Sequence, residues 1–288
     1  MSAPQFGVFL IPEADDPART VERAVEAERL GLDLVAIQDH PYQRRHLDTF
    51  SLLAFIAART DKIALAPDVA NLPLRLPAVM ANAAASIDVL SGGRFELGLG
   101  AGAFWDAIEG MGGPRHSPKE SVDALEEAIE VVRLTWSGER SVSFEGRHYS
   151  LKGLKAGPQP AHPIGIWLGA YGPRMVRLTG TAADGWLPSV PRLPLDEIPA
   201  RQRAIDEAAK RAGRDPASVR RLANVSGQIT TSGSEGFLRG PAGQWVDDLR
   251  RLREEYRFET FIFWGDGDPD EQVKRFAQDV VPAVRDGG

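Results

Sequence analysis

The chain has 288 residues, 43% of them hydrophobic, with a net charge of -6 and no cysteine. That length suits one large α/β domain or two small ones, with enough apolar content for a substantial core. The charge gives no general attraction for nucleic acid or an anionic membrane, and the lack of cysteine excludes disulfides, thiolate catalysis and Cys-ligated metal. No apolar run approaches the roughly 20 residues that span a bilayer. The opening, Met1 to Gln5, has no basic or long apolar leader, which points to the cytoplasm.

Residues 5–11 read as a buried strand, and Asp16-Pro17 caps the helix that follows, with Val21, Ala24, Val25 and Leu30 on its apolar face. Gly31 ends that helix. Residues 34–37 form a second strand that ends in Gln38-Asp39-His40-Pro41, and Asp48 caps a second helix. Residues 62–66 form a third strand that leaves through Pro67-Asp68-Val69. A helix from near Pro77 ends at Gly92-Gly93, and a fourth strand runs over residues 95–99. Nearly continuous apolar strands alternating with helices point to a parallel sheet.

A long amphipathic helix spans about 118–136. Residues 138–162 then break the rhythm with a small hairpin turning at Glu145-Gly146, and read as an insertion between the fourth and fifth strands. The alternation resumes with a strand at 163–168, a short sixth strand at 185–188, a charged helix at 195–212 and a seventh strand at 220–229. Residues 230–239 read as a Gly- and Ser-rich loop. A helix at 244–256, an eighth strand at 260–264 and a last helix at 270–284 complete the chain. Eight strands alternating with eight helices predict a (β/α)8 TIM barrel in a single domain over 1–288, and a doubly wound open sheet is the alternative.

In a barrel of this kind the chemistry sits at the C-terminal ends of the strands. Gly169-Ala170-Tyr171-Gly172-Pro173-Arg174 is a glycine turn between a strand and a helix, with Pro173 as first helical residue and a helix N-terminus suited to a phosphate. Gly98-Leu99-Gly100-Ala101-Gly102 is a second such turn, and one organic phosphate fits between the two. An ordinary strand-to-helix turn explains either one taken alone. His40 is the strand-end group that titrates near neutrality; a structural histidine under a loop is the plainer reading. Asp68-Val69, between Pro67 and Asn71-Leu72-Pro73, makes a rigid kinked exit suited to the face of a planar ring. Trp105, after the turn at residues 98–102, and Trp264 at the end of the last strand offer an apolar pocket for a small-molecule substrate. No cluster of His and carboxylates has metal-ligand spacing, and no Gly-x-Ser-x-Gly follows a strand.

Three blocks carry a resemblance: Asp39-His40-Pro41, the run from Ser86 to Gly102, and the run from Trp167 to Trp186. With these the chain resembles the luciferase-like monooxygenase superfamily of flavin- or deazaflavin-dependent barrel oxidoreductases, over residues 5 to about 283. The resemblance implies FMN or coenzyme F420 across the strand ends, and hydride transfer to or from a small organic substrate. The alternative is an FMN-dependent monooxygenase fed by a separate reductase, and a third reading is a non-catalytic barrel that stores a flavin. The resemblance further implies that Asp39 touches the cofactor and His40 serves in catalysis. Asp68-Val69 would be a non-prolyl cis bond behind the ring, and Asn71 would lie near the ring edge. Ala101 and Gly102 would meet the cofactor's tail, and Gly169, Ala170, Gly172 and Pro173 its phosphate. It also implies a homodimer. One departure is Ala103, where some sugar-phosphate-oxidising members place a glutamate; with no evident basic cluster, a less polar substrate is expected.

Overall fold

Leu34–Ile37 and Leu97–Gly100 are buried at every position. A strand apolar on both faces is satisfied only between parallel neighbours that are themselves covered by helices. The computed structural model of the chain, which describes residues 3–286, has that arrangement. Its parallel strands are β1 (Gln5–Leu10), β2 (Leu34–Ile37), β3 (Ala64–Pro67), β4 (Ala70–Asn71), β5 (Leu97–Gly100), β8 (Ile166–Leu168), β9 (Gly185–Trp186), β10 (Arg220–Ile229), β11 (Arg239–Gly240) and β12 (Thr260–Gly265). A separate antiparallel pair is β6 (Val142–Glu145) and β7 (Ser150–Leu154).

Neighbouring strands follow the order β3-β2-β1-β12-β10-β9-β8-β5-β4. The ring closes where Leu65 of β3 bridges Phe95: the Leu65 N–H donates to Arg94 O at 2.8 Å, and the Glu96 N–H donates to Leu65 O at 2.8 Å. β3 and β4 are two halves of one barrel strand, interrupted by the cis peptide bond Asp68–Val69. Counted as one, they make the ring eight-stranded, a TIM barrel. β5 pairs directly with β8, so the hairpin β6–β7 contributes nothing to the ring. Two short strands were not expected: β4, and β11, which pairs β10 at the end of the segment read as a loop.

The helices start where the caps lie. Asp16 accepts from the Arg19 N–H and starts α1 (Pro17–Arg29), and Asp48 accepts from the Ser51 N–H and starts α2 (Thr49–Ala57). α3 (Pro77–Ser91) ends at Gly92, whose φ of 72° is left-handed. A short α4 (Trp105–Gly110) precedes α5 (Pro118–Trp136), which opens on a reciprocal capping box between Ser117 and Glu120. α6 (Pro173–Ala182), α7 (Ile198–Arg211) and α8 (Ala242–Glu254) follow. The last predicted helix is split: α9 (Pro269–Arg275), a π turn at Phe276–Val280, and α10 (Val281–Asp286). No helix among the described residues is long and apolar enough to cross a membrane.

Leu34, Ala36, Ala66, Trp167, Leu187, Leu222 and Ile262 form a cluster distinct from the main core, with Phe9 and Val69 packed on it. These side chains alternate along their strands with those of the main core, so they fill the barrel lumen and make it a plug, not a pore.

Candidate active site

Above that plug the C-terminal strand ends enclose a cleft of about 520 Å³, within the range of small-molecule sites. Gly100, Ala101 and Gly102 after β5 line it, with Gly169, Tyr171 and Gly172 after the adjoining β8. The two glycine turns therefore lie side by side on one wall. Their glycines serve different ends. A Cβ on Gly100 would stand 2.7 Å from Val69 Cγ2, so this glycine makes room for Val69. Gly102 has φ +101°, a conformation that side chains resist. A Cβ on Gly172, the residue that caps α6, would meet no atom within 4 Å. Of the glycines in the two turns, Gly172 is the one whose missing side chain leaves open space at a helix N-terminus.

Asp39 and His40, two and three residues beyond the end of β2, both line the cleft and differ in their partners. His40 lines the cleft, its ring stacked on Tyr42 at 5.3 Å and met edge-on by Phe104 at 5.4 Å. Burial lowers its pKa from the ordinary 6.5; His46 lowers it further, Asp39 opposes the change, and Arg192 adds to it. The imidazole is therefore neutral at pH 7. The Asp39 carboxylate is fully buried. Its Oδ2 accepts from the Asn71 N–H at 2.8 Å and from Arg75 Nε at 3.0 Å, and its Oδ1 accepts from Arg75 Nη2 at 2.8 Å. Both oxygens thus have partners within the chain, and the carboxylate fixes Asn71 and Arg75, while the residue itself also lines the cleft.

Asp68, Val69 and Asn71 all line the cleft. Asp68 Oδ1 accepts from Asn224 Nδ2 at 3.1 Å, across the lumen from β10. Burial, partly offset by that hydrogen bond, pushes the Asp68 carboxyl up to about 7. Asp68 Oδ2, Asn71 Oδ1, Asn224 Oδ1 and the Tyr42 hydroxyl are buried without a partner. Such orphans are few in a native fold and call for a group to satisfy them.

Three expected site residues lie elsewhere. Trp105 is not on the cleft: its ring meets His116 edge-on at 5.9 Å. Phe104, in left-handed conformation at φ 57°, turns its exposed ring to the cleft instead. Ala170 is fully buried, and its carbonyl accepts from Trp186 Nε1 at 2.8 Å. Pro173 starts α6 without lining the cleft. Trp264 does line it, stacked on Phe9 at 5.1 Å. Asp106 and Glu109, which follow Ala103, are both ion-paired to Arg115 outside the cleft. Among the described residues Arg192 is the one Lys or Arg on the cleft wall. Sequence reasoning missed Asn224, although an amide inside the apolar run Leu222-Ala223-Asn224-Val225 is a visible signal.

The family described as luciferase-like monooxygenase matches residues 2–235. A curated F420-dependent glucose-6-phosphate dehydrogenase of Kineococcus radiotolerans is 35% identical over 178 residues, 59% of this chain and 52% of that protein. One of Microbacterium testaceum is 30% identical over 96% of this chain and 88% of its own length. Against the first of these the chain thus spans about half the relative's length. A solved F420-dependent secondary alcohol dehydrogenase, in complex with an F420-acetone adduct, superposes with a TM-score of 0.87 over 98% of this chain and 99% of that one, at 18% identity. The FMN complex of the oxygenating constituent of 3,6-diketocamphane monooxygenase of Pseudomonas putida superposes with a TM-score of 0.76 over 98% of each, also at 18% identity. At such identities the likeness speaks for the fold.

Proposed function

The chain belongs to the luciferase-like monooxygenase family, and on that premise we propose that it is an oxidoreductase that moves a hydride between coenzyme F420 and a small, weakly polar organic substrate. The observation that carries this reading is the cleft itself: two adjoining glycine turns on one wall, with a neutral, half-buried imidazole facing them from another. The F420-dependent activity of the curated relatives favours F420. The same turns suit the phosphate of FMN, which keeps a flavin-dependent monooxygenase as the second reading.

The residues present fit such a cofactor. Gly172 leaves open space at the N-terminus of α6 for a phosphate, and Val69 presents an apolar face on the floor. Asn71 offers an unpartnered amide oxygen to a ring edge. When bound, the ring would supply the hydride chemistry. The chain's own part is to bind, orient and move the accompanying proton. His40, neutral at pH 7, is able to accept a proton from a substrate hydroxyl. Tyr42 and Phe104 pack against it, and Phe9 and Trp264 add apolar surface to the cleft. A substrate with a large anionic group would find only Arg192, which supports a weakly polar one.

The test is equilibrium dialysis with F420 and FMN side by side, on the wild type and on Gly172→Val. One cofactor is expected to bind, and the variant, which has room to fold, to bind it more weakly by about 2 kcal/mol or more, through the loss of about two charge-assisted hydrogen bonds. Equal binding by the folded variant would remove the phosphate from this turn.

We also propose a homodimer. Phe55 of α2 and Leu76, Val79 and Leu90 along α3 are exposed by 54%, 68%, 64% and 80% on adjoining helices, an apolar face suited to a second copy. Light scattering should give twice the 31.3 kDa of one chain; the mass of a single chain would contradict it. In the FMN reading a separate reductase would supply reduced flavin.

A further inference from the structure

Asp68 is the one buried acid of the cleft that the proposed chemistry does not use. Its side chain reaches Asn224 of β10 across the lumen, and the residue lines the cleft with Val69 and Leu187. The residue is 9% exposed, and what exposure remains opens on the cleft. Oδ1 is taken by Asn224, while Oδ2 is buried and meets no donor or acceptor of the chain. A carboxylate left with an unpartnered buried oxygen is costly; a carboxylic acid in the same place is not. A planar ligand lying on Val69 would desolvate this acid further and strengthen that preference.

We propose that Asp68 is a specificity-determining group of the cleft floor, that it carries a hydrogen when a ligand is bound, and that it offers this hydrogen from the oxygen opposite Asn224 to a carbonyl-type acceptor on the ligand. The inference rests on the cofactor reading above and adds to it a binding step coupled to uptake of one proton. The unliganded acid titrates at about 7, so at more alkaline pH it must gain a proton before the ligand seats. The sign is fixed by this order: the binding form is the neutral one, present below that pH and lost above it.

The other titratable and charged groups facing the cleft leave this window clear. His40 titrates below its ordinary 6.5. Tyr42 is pushed up to about 12. Asp39 is closed by Arg75, and the other charged side chain on the wall is Arg192.

The experiment is calorimetric titration of F420 and FMN into the wild type and Asp68→Asn, from about pH 6 to about pH 9. The wild type is expected to lose affinity by about tenfold per pH unit above about pH 7. In buffers of different ionisation heat it should take up about one proton per ligand at about pH 8. Asp68→Asn should hold its acid-side affinity across the range. Any titration of the ligand itself is common to both proteins, so parallel curves, or binding without proton uptake, overturn the proposal. Should Asp68→Asn fail to fold, Asn224→Leu replaces it: losing the hydrogen bond that lowers the acid's pKa should move the midpoint to higher pH, and an unmoved midpoint overturns the proposal. Infrared spectra of the free protein give a readout that needs no cofactor. A carboxylic-acid carbonyl band at about pH 6 that is absent from Asp68→Asn supports the protonated acid, and its absence from the wild type overturns it. If neither cofactor binds at any pH while that band is present, the cofactor reading fails and the protonated floor stands.

Discussion

His40→Ala is expected to keep cofactor affinity within a few-fold and to lose turnover by about 100-fold or more. A hydride moved to or from an organic substrate leaves a proton to be balanced on the substrate's oxygen or nitrogen. His40 is the cleft group placed and poised for it: its ring has no hydrogen bond of its own to break, and Tyr42 and Phe104 hold it by packing alone. Asp106 and Glu109, the acids that follow Ala103, are paired to Arg115 outside the cleft. Because burial lowers the imidazole's pKa, the acid limb of kcat/KM, measured at saturating cofactor, should fall below pH 6.5. Steady-state kinetics with dialysis of the variant decide the matter. Surviving turnover would make His40 structural, and collapsed cofactor binding would make it a ligand of the cofactor.

Arg75→Ala is expected to destabilise the fold by about 3–5 kcal/mol, more than Asp39→Asn does. The asymmetry follows from burial. The Asp39 side chain is wholly enclosed, so removing its guanidinium partner strands a charge with only the Asn71 N–H left to it. Removing the charge on Asp39 leaves Arg75 a second carboxylate, Asp48, at 2.7 Å and the face of Phe50 at 4.5 Å. Urea melts of the two variants and their combination measure the difference. The double variant should be little worse than Arg75→Ala alone; additive losses would show that the pair is not coupled. The same substitution should weaken cofactor binding, because Asp39 is what fixes the Asn71 backbone.

Local signals carried most of the architecture. Asp16-Pro17, Asp48 and Ser117-Pro118 each place a side-chain acceptor before a helix, and α1, α2 and α5 begin there. The barrel strands were visible as short apolar runs, and the hairpin through the turn at Glu145-Gly146. Elements of two residues were not visible: β4 and β11 are too short to show a period and exist because a neighbouring strand edge pairs them. In the cleft, the residues were mostly found and their relations were not. Arg75 lies 36 residues from the Asp39 it closes, and Asn224 lies 156 residues from Asp68. No spacing rule links such pairs; only the closed ring brings them together. Phe104 and Trp105 are adjacent, and which ring enters the cleft is decided by the left-handed backbone at Phe104.

The barrel closes without help from residues 138–162, and this gives the lineage latitude. Because β5 joins β8 directly, the intervening hairpin is free to lengthen, shorten or be exchanged over generations without shifting one ring strand. Its turn hangs on a single carboxylate: Glu127 of α5 accepts from the N–H groups of Arg147, His148 and Tyr149. The first turn of that same helix, at Pro118, Ser121 and Val122, borders the cleft. The hairpin thus connects through α5 to the rim of the cleft, at residues apart from the two glycine turns.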